Sequence, residues 1–278
     1  MSYTLVFNSS NVIGQNNSQF LYKFIVGNFT IKNDSQMCIS SVTIPYSWYN
    51  IAPWYTNQTF DFTWTNGDVT TTYNINLPAG FYTLDNINTY LQLQMYNLGA
   101  YLINQNGQYV YYINMLDNIT AYKVQVLFYI VPTSLPVGWS LPSNVAFLGF
   151  PTVTTAPSLI ISNNGFQQQV GLTAGTYGGG NSDSSVLSNT LVNSTTVNSV
   201  LIRSQIVSNS IASPSDIIDS FPINSTFGSN ITYNPQFEKW IKIKAGTYNS
   251  FDIFLSDQNF NTLYANDPNV TITILIKN

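Results

Sequence analysis

Apolar and polar residues alternate with a period of two along most of this chain of 278 residues. The clearest run ends the sequence, where every second residue is apolar: Val270, Ile272, Ile274 and Ile276. Successive side chains of a β-strand point to opposite faces, so this pattern predicts a strand with one buried face. Similar runs recur throughout the chain and predict an all-β protein. The pattern alone leaves a sandwich, a jelly roll and a barrel open.

Two Asn-Gly pairs mark hairpins, because both residues tolerate the positive φ angles of a type I′ turn. A two-residue turn at Asn66-Gly67 predicts that Trp64 pairs with Val69, with Phe62 opposite Thr71 and Phe60 opposite Tyr73 on the same face. Asn106-Gly107 predicts a second hairpin of the same kind.

One helix interrupts the strands. Thr83 can cap its start and Gly99 can end it. Its apolar residues are spaced by three or four positions; these residues are Leu84, Ile87, Leu91, Met95 and Leu98. These side chains are expected to face the core. Residues 171–189 are rich in Gly, Ser, Thr and Asn, which predicts a mobile surface loop.

Charged residues make up 7% of the chain, against about 25% in an average soluble domain. A net charge of −4 leaves no basic surface for phosphates, which argues against nucleic-acid binding. No stretch approaches 18 uninterrupted apolar residues, so no membrane insertion is expected. The absence of histidine excludes serine triads, histidine-based zinc sites and histidine acid–base catalysis. We therefore expect no enzyme activity and no cofactor.

Acidic residues are the remaining candidates for a catalytic or metal-binding site, since these sites do not require histidine. Asp216 and Asp219 could serve as a glycosidase-like carboxylate pair, although a capped helical turn after Ser213 is the favoured interpretation. Asp257 and Asp267 could hold a weak Ca²⁺ ion, but the loop lacks the Gly and Glu of a calcium loop, so a polar turn is favoured. No metal site is predicted. Cys38, in an apolar run, is interpreted as a small buried hydrophobe.

Residues 44–55 are aromatic, interrupted by proline and free of charge. Such a segment can be a folded-over lid on the core, a protein interface or a sugar platform, and all three remain open. If it is an interface, its candidate contact residues are Tyr46, Trp48, Tyr49, Trp54 and Tyr55.

Several stretches, taken in order, resemble the single jelly-roll penton, or minor capsid, proteins of virophages and polinton-like viruses. The resemblance rests on residues 44–51 (IPYSWYNI), 77–84 (LPAGFYTL), 200–204 (VLIRS) and 227–235 (FGSNITYNP), and on a C-terminal pattern that begins at Trp240. Arg203, within the third stretch, is a further interface candidate. Support is weakest between about residues 100 and 195.

This resemblance implies one jelly-roll capsid domain over residues 1–278, a sandwich of antiparallel strands with one short helix. The surplus of predicted strands implies elaborated loops or a small β insertion within about residues 100–195. It also implies a homopentamer at the icosahedral vertices of a virion, assembled inside the infected host cell. Its expected partners are copies of itself, capsomers of a double jelly-roll major capsid protein and other minor capsid proteins.

Two further hypotheses accompany this one. The alternative function is a carbohydrate- or receptor-binding jelly roll of a spike or lectin. Within the capsid function, the N-terminal segment through about Ser18 is expected to bind neighbouring subunits, on the premise that a terminus outside a sheet is free to reach them.

Overall fold

The computed structural model describes residues 2–25, 27–193 and 195–277. The chain forms two compact units: unit 1 comprises Met1–Tyr49 and Val197–Asn278, and unit 2 comprises Asn50–Thr196. Every pair of strands within its sheets is antiparallel.

The strands up to the start of unit 2 are β1 (Ser2–Phe7), β2 (Val12–Ile13), β3 (Gln19–Lys23), β4 (Phe29–Ile31) and β5 (Gln36–Pro45). Unit 2 contains β6 (Thr59–Asn66), β7 (Val69–Asn76), helix α1 (Leu84–Leu98), β8 (Leu102–Ile103), β9 (Tyr109–Val110), β10 (Ile113–Asn118), β11 (Lys123–Phe128), β12 (Ser158–Ile161), helix α2 (Phe166–Val170), β13 (Gly175–Gly178) and β14 (Ser184–Leu187). Unit 1 resumes with β15 (Ser199–Arg203), β16 (Ile217–Pro222), β17 (Asn230–Tyr233), β18 (Ile241–Lys242), β19 (Gly246–Tyr248), β20 (Ser250–Asp257) and β21 (Thr271–Lys277). Two 3₁₀ turns lie at Ser9–Asn11 and Pro53–Tyr55.

Unit 1 is a jelly roll. Its eight principal strands, in chain order, are β1, β3, β5, β15, β16, β17, β20 and β21. One sheet has the order β1-β21-β5-β17, which joins the first, eighth, third and sixth strands. The other has the order β16-β15-β20-β3, which joins the fifth, fourth, seventh and second. Each sheet also has one short fifth strand, since β18 pairs with β5 and β2 with β3. The interleaving of the two sets of four principal strands is the jelly-roll topology. The predicted all-β, antiparallel jelly-roll class is confirmed.

The two sheets of unit 1 share a core of alternating side chains. Phe7 of the first sheet packs on Phe251 of the second, with ring centroids 5.6 Å apart, and both rings are buried. The four apolar residues of the predicted C-terminal strand are buried as well; they are Val270, Ile272, Ile274 and Ile276. Ile253 and Leu255 of β20 are also buried. Burial of these faces supplies the main stabilisation of the sandwich.

The N-terminal segment is part of this sandwich. All six residues of β1 pair with β21, from Ser2 opposite Lys277 to Phe7 opposite Ile272. The premise that the N-terminus lies outside a sheet is therefore wrong. Alternation of Leu5 and Phe7, which are buried, with more exposed neighbours explains why this segment forms an edge strand.

Unit 2 lies in the connection between β5 and β15, and it has its own apolar core. Two sheets, of order β13-β12-β6-β7 and β10-β11-β14, contribute to this core together with helix α1. Unit 2 begins at Asn50, whereas the sequence placed an insertion or elaborated loops within about residues 100–195. That an inserted β subdomain or elaborated loops lie within about residues 100–195 stays a prediction.

Helix α1 follows the sequence prediction. It spans Leu84–Leu98, with Thr83 as its N-cap and Gly99 in the left-handed conformation at its C-cap. The Thr83 side chain accepts a hydrogen bond from the Asn86 backbone N–H, and the Asn86 side chain accepts one from the Thr83 N–H, so two donors at the helix start are satisfied. The four residues of α1 that are fully buried are Leu84, Ile87, Leu91 and Met95. The sequence did not predict the five-residue helix α2.

The register of the first hairpin differs from the prediction by two residues. Asn66 pairs with Val69, so the turn residues are Gly67 and Asp68 instead of Asn66 and Gly67, and Trp64 faces Thr71. Only Gly67 of the turn has a positive φ (60°), which matches a turn with glycine at its first central position. A shift of two preserves the faces, so the predicted apolar face of Phe60, Phe62 and Trp64 is buried.

The second hairpin differs from the prediction in another way, because its loop is longer than two residues. Leu102 pairs with Val110 and Ile103 with Tyr109, which leaves residues 104–108 between β8 and β9. The Asn104 side chain accepts the backbone N–H groups of Asn106 and Gln108, both at 3.0 Å, and Gly107 has a φ of 75°. Side-chain hydrogen bonds within this loop therefore select a wider turn.

Residues 171–189 do not form the predicted loop. They contain β13 and β14, which lie at the edges of the two sheets of unit 2 and pair with β12 and β11. Backbone hydrogen bonds to a buried partner strand stabilise such edge strands, and small side chains do not prevent them. Composition alone was therefore a poor guide to this segment. Among the residues that the structure describes, no helix is long and apolar enough to cross a lipid bilayer.

Candidate interaction surfaces

The first half of the aromatic segment is packed inside unit 1. Tyr46 and Trp48 are buried, and their ring centroids lie 4.6 Å apart. Phe227 packs on Tyr46 at 5.7 Å and on Tyr49 at 6.4 Å. These contacts match the interpretation of the segment as a lid on the core. Tyr49 remains half-buried.

The second half of the segment belongs to unit 2. Trp54 and Tyr55 form a 3₁₀ turn that begins at Pro53, and their rings meet edge to face at 6.0 Å. Trp54 is exposed and Tyr55 half-buried. The structure thus divides the five aromatic candidates between two units and exposes one of them, Trp54. Their role in an interface stays a prediction.

Arg203 is engaged within its own subunit. Its Nη2 and Nε atoms donate to the two carboxylate oxygens of Asp216 at 2.8 and 3.1 Å. The guanidinium carbon also lies 4.8 Å from the ring centroid of Phe254 and 5.5 Å from that of Phe260. A bidentate ion pair combined with two aromatic contacts fixes the side chain in place. Its participation in an interface, too, stays a prediction.

Asp219 has partners of its own. Lys239 Nζ donates to one carboxylate oxygen at 2.7 Å, and the Tyr233 hydroxyl donates to the other at 2.7 Å. Burial, reinforced by this hydrogen bond, raises the pKa of Tyr233. Each acid of the Asp216–Asp219 pair therefore belongs to a separate ion pair. The predicted helical turn after Ser213 is wrong, since no helix occurs there and Asp219 lies in β16.

The turn at Asp257 binds N–H donors. Its carboxylate accepts the backbone N–H groups of Asn259 and Asn261 at 2.8 and 2.9 Å and the Asn261 side-chain amide at 3.0 Å. Asp267 accepts the N–H of Asn269. This geometry matches the polar-turn interpretation. Within the described ranges, no group of three or more His, Cys, Asp or Glu residues could hold a metal ion.

Cys38 is a free, fully buried thiol in β5, as predicted. Burial, with a smaller effect of nearby Glu238, raises the pKa of the thiol from 9.0 to about 11. Since the thiolate is the nucleophile, we expect Cys38 to resist a thiol reagent such as DTNB at pH 8 in the native protein and to react on unfolding.

The same shift makes stability depend on pH. The unfolded chain loses the Cys38 proton above about pH 9 while the folded chain retains it, so this contribution is complete below pH 9 and is lost as the pH rises to about 11. Urea unfolding at pH 8, 9.5 and 11 should show a larger loss for the natural chain than for a Cys38→Ala control. Parallel losses in both proteins would contradict the assignment.

A groove of about 720 Å³ lies on the second sheet of unit 1, beside β3 and β20. Its one acidic group, Asp252, accepts the Ser204 hydroxyl at 3.1 Å and the Gln205 backbone N–H at 3.4 Å. The carboxylate is thus already partnered within the subunit, and the groove provides no further charged group for chemistry.

Among the described residues of unit 1, the three most exposed large apolar residues lie in connections between strands, and two of these connections are at one end of the sandwich. Strands β3 and β15 end there, and β16 and β20 begin there, because Lys23 pairs with Ser250 and Arg203 with Ile217. Ile25 and Ile211 lie in connections at this end, with 96% and 93% of their surface exposed, and Phe237, 78% exposed, lies in the connection between β17 and β18 beside the edge of the first sheet. We call these three residues the apolar end.

Sequence reasoning missed the apolar end, although a signal was present. Each of its residues is a large apolar side chain in a connection between strands, where polar residues are usual. Large apolar side chains with most of their surface exposed are candidates for an interaction site. The alternation pattern predicts strands and contains no information on isolated apolar residues in the connections between them.

No protein-family model matches the chain, and no curated protein matches it significantly. Among solved structures, the chain is similar to the crystal structure of a mavirus penton protein, with a TM-score of 0.46 and 10% sequence identity over 100% of this chain and 98% of that one. That protein is of the class that the sequence motifs resemble. The strand order of unit 1 identifies its jelly-roll fold.

Proposed function

We propose that this chain is a structural capsid protein that forms the homopentameric penton at the vertices of an icosahedral virion. The observation that carries the proposal is the complete jelly-roll strand order of unit 1. The ordered motifs of the sequence, from the segment 44–51 to that at 227–235, support the same assignment. Because one fold serves many functions, the proposal also needs the surface properties of the molecule.

The surface suits assembly. With 20 charged residues in 278, identical subunits approach one another with little Coulomb repulsion. Amide and hydroxyl side chains can satisfy hydrogen bonds at the wet edges of such contacts. Five copies related by rotation would use a heterologous interface that closes on itself. The proposed location is therefore the capsid vertex, after assembly in the infected cell.

The apolar end is proposed to contact the surrounding capsomers of the major capsid protein. Ile25, Ile211 and Phe237 would lose their exposed surface on docking, and burial of apolar area is the main driving force of protein association. Interface cores are accordingly depleted in charge and enriched in large apolar side chains. Among the residues of unit 1 that the structure describes, no others combine such exposure with this size.

The test is a variant with Ile25→Asn, Ile211→Asn and Phe237→Asn. We expect it to fold, because the three side chains are exposed, and to form pentamers that fail to enter particles when coexpressed with the major capsid protein. Val137→Asn is the matched control, since Val137 of unit 2 is 98% exposed. Incorporation of the triple variant at the natural level would contradict a role for the apolar end.

The oligomeric state provides an independent test of the function itself. Electron-microscopy class averages of the purified natural chain, with sedimentation of the same sample, should show rings of five copies. Single copies that do not associate even with the major capsid protein would contradict the penton assignment. A triple variant that sediments as single copies would place the apolar end between subunits and would contradict its proposed partner.

A further inference from the structure

A second cavity, of about 540 Å³, opens on the surface of unit 2. Helix α1 contributes Gln92, the β8–β9 hairpin contributes Asn104, Gln108 and Tyr109, and β10 contributes Asn114. Tyr129, which follows β11, completes the rim together with Tyr111. Its volume is within the range of about 300–1,000 Å³ typical of small-ligand sites.

The lining of this cavity is polar and uncharged. Its four amides offer both donors and acceptors, and none of its side chains is charged at neutral pH. A ligand bound here gains no ion pair. The chemistry therefore favours a neutral molecule with many hydroxyl groups over a phosphate, a carboxylate or a basic peptide.

Hydrogen bonds hold the amides in place. Gln92 Nε2 donates to Asn114 Oδ1 at 2.7 Å, and Asn104 Nδ2 donates to Gln108 Oε1 at 3.0 Å. Within the described part of the chain, these contacts leave Gln92 Oε1, Asn114 Nδ2 and Gln108 Nε2 without a partner. The cavity is thus lined by fixed amides with one acceptor and two donor groups to spare, which reduces the entropy lost on binding.

Tyrosine rings provide the apolar part of the site. Tyr109 is 52% exposed, yet its ring packs against Tyr101 at 5.2 Å and Tyr96 at 5.5 Å. Tyr101 in turn contacts Tyr111 at 6.0 Å. The exposed side of Tyr109 is therefore a supported, rigid surface. Tyr129 is 37% exposed at the same cavity.

The tyrosine hydroxyls are available to a ligand. Those of Tyr109, Tyr111 and Tyr129 form no hydrogen bond with any residue that the structure describes. Burial, followed by the effect of Tyr109, raises the pKa of Tyr111, which keeps its hydroxyl protonated and able to donate. An apolar ring with a polar tip matches the alternation of C–H faces and hydroxyl groups on a sugar.

We propose that this cavity, which we call the tyrosine–amide pocket, is a binding site for neutral oligosaccharides. The inference does not rest on the penton assignment, since a glycan site could serve a capsid protein or a lectin. It also differs from a sugar platform at Trp54, which does not line the pocket.

The test uses the full chain and a panel of neutral oligosaccharides: maltohexaose, cellohexaose, chitohexaose and mannohexaose. Saturation-transfer NMR identifies a binder and calorimetry measures its affinity. We expect Tyr109→Ala and Tyr129→Ala each to weaken binding about tenfold or more through loss of an aromatic surface. Tyr109→Phe should retain most of the affinity because it keeps the ring.

Trp54→Ala is the control and should leave binding unchanged. Thermal melts identify any variant whose fold is disturbed, and Tyr129→Ala keeps the test valid if Tyr109→Ala is one of them, because no ring contact of Tyr129 supports the tyrosine cluster among the described residues. Absence of binding across the panel at about 1 mM, the weak end of specific recognition, would overturn the proposal. So would binding that survives both tyrosine variants or that is lost in Trp54→Ala.

Discussion

Deleting residues 2–15 is expected to abolish the cooperative unfolding transition of unit 1. The deletion removes β1, all six residues of which pair with β21. It also removes Phe7, whose buried ring contacts Phe251 at 5.6 Å and Tyr22 at 5.8 Å. The first sheet would then end at β21, with a row of unpaired backbone groups and a cavity beneath them.

The expected destabilisation is comparable to the whole free energy of unfolding of a domain. Truncation of a single buried Phe costs about 3–5 kcal/mol, and the deletion also removes Leu5 and a complete strand ladder. The free energy of unfolding of a domain is about 5–15 kcal/mol. We therefore expect unit 1 to lose its fixed structure.

Hydrogen–deuterium exchange with mass spectrometry measures this outcome. Peptides from β20 and β21 should lose protection in the deletion variant, whereas peptides from α1 in unit 2 should keep it. Within the full chain, Phe7→Ala should lower stability by about 3–5 kcal/mol, and Val6→Ser, which is more exposed, should change it by less than about 0.5 kcal/mol. Unchanged protection of β21 after the deletion would contradict the assigned role of β1.

The second large effect is expected at Gly178, the last residue of β13. A Cβ atom added there would lie 2.5 Å from Cδ1 of Phe128 and 2.7 Å from the carbonyl oxygen of Pro157. Phe128 is fully buried, and the atom of Pro157 near the added Cβ belongs to the backbone, so displacing either one costs free energy of folding. The φ angle of +84° adds strain for any other residue. Gly178→Ala should cost about 3 kcal/mol or more.

The run of three glycines contains its own control. Gly180 lacks a positive φ, and the nearest atom to an added Cβ is 4.0 Å away, at Ser182. Gly180→Ala should therefore change stability by less than about 0.5 kcal/mol. Urea unfolding curves of the two variants provide the comparison. Equal stabilities would show that β13 is not held against Phe128 and Pro157 in solution.

Local signals in the sequence predicted local structure well. The spacing of Leu84, Ile87, Leu91 and Met95, with Thr83 before them, contains all that is needed to place helix α1, since a helix is stabilised within a few residues. The turn at Gly67-Asp68 shows the limit. Asn66-Gly67 and Gly67-Asp68 are both good turn pairs, and the choice between them depends on which cross-strand pairs form.

Long-range pairing could not be predicted in the same way. The segment 171–189 forms strands because β11 and β12 lie beside it, and nothing within the segment itself indicates those partners. The candidate surfaces could not be predicted for the same reason, because they also depend on contacts between residues distant in sequence. Tyr46 packs against Phe227, which is distant in sequence, whereas Tyr109 and Tyr129 meet at one cavity only after the chain has folded.

The position of β21 has a consequence for synthesis on the ribosome. This strand, residues 271–277, lies between β1 and β5, so the first sheet of unit 1 lacks its central member until those residues have left the exit tunnel. Unit 2 is a continuous segment of the chain, residues 50–196, so all of its strands leave the tunnel before β21 does. During synthesis, β1 and β5 therefore remain without the strand that lies between them until residues 271–277 have emerged.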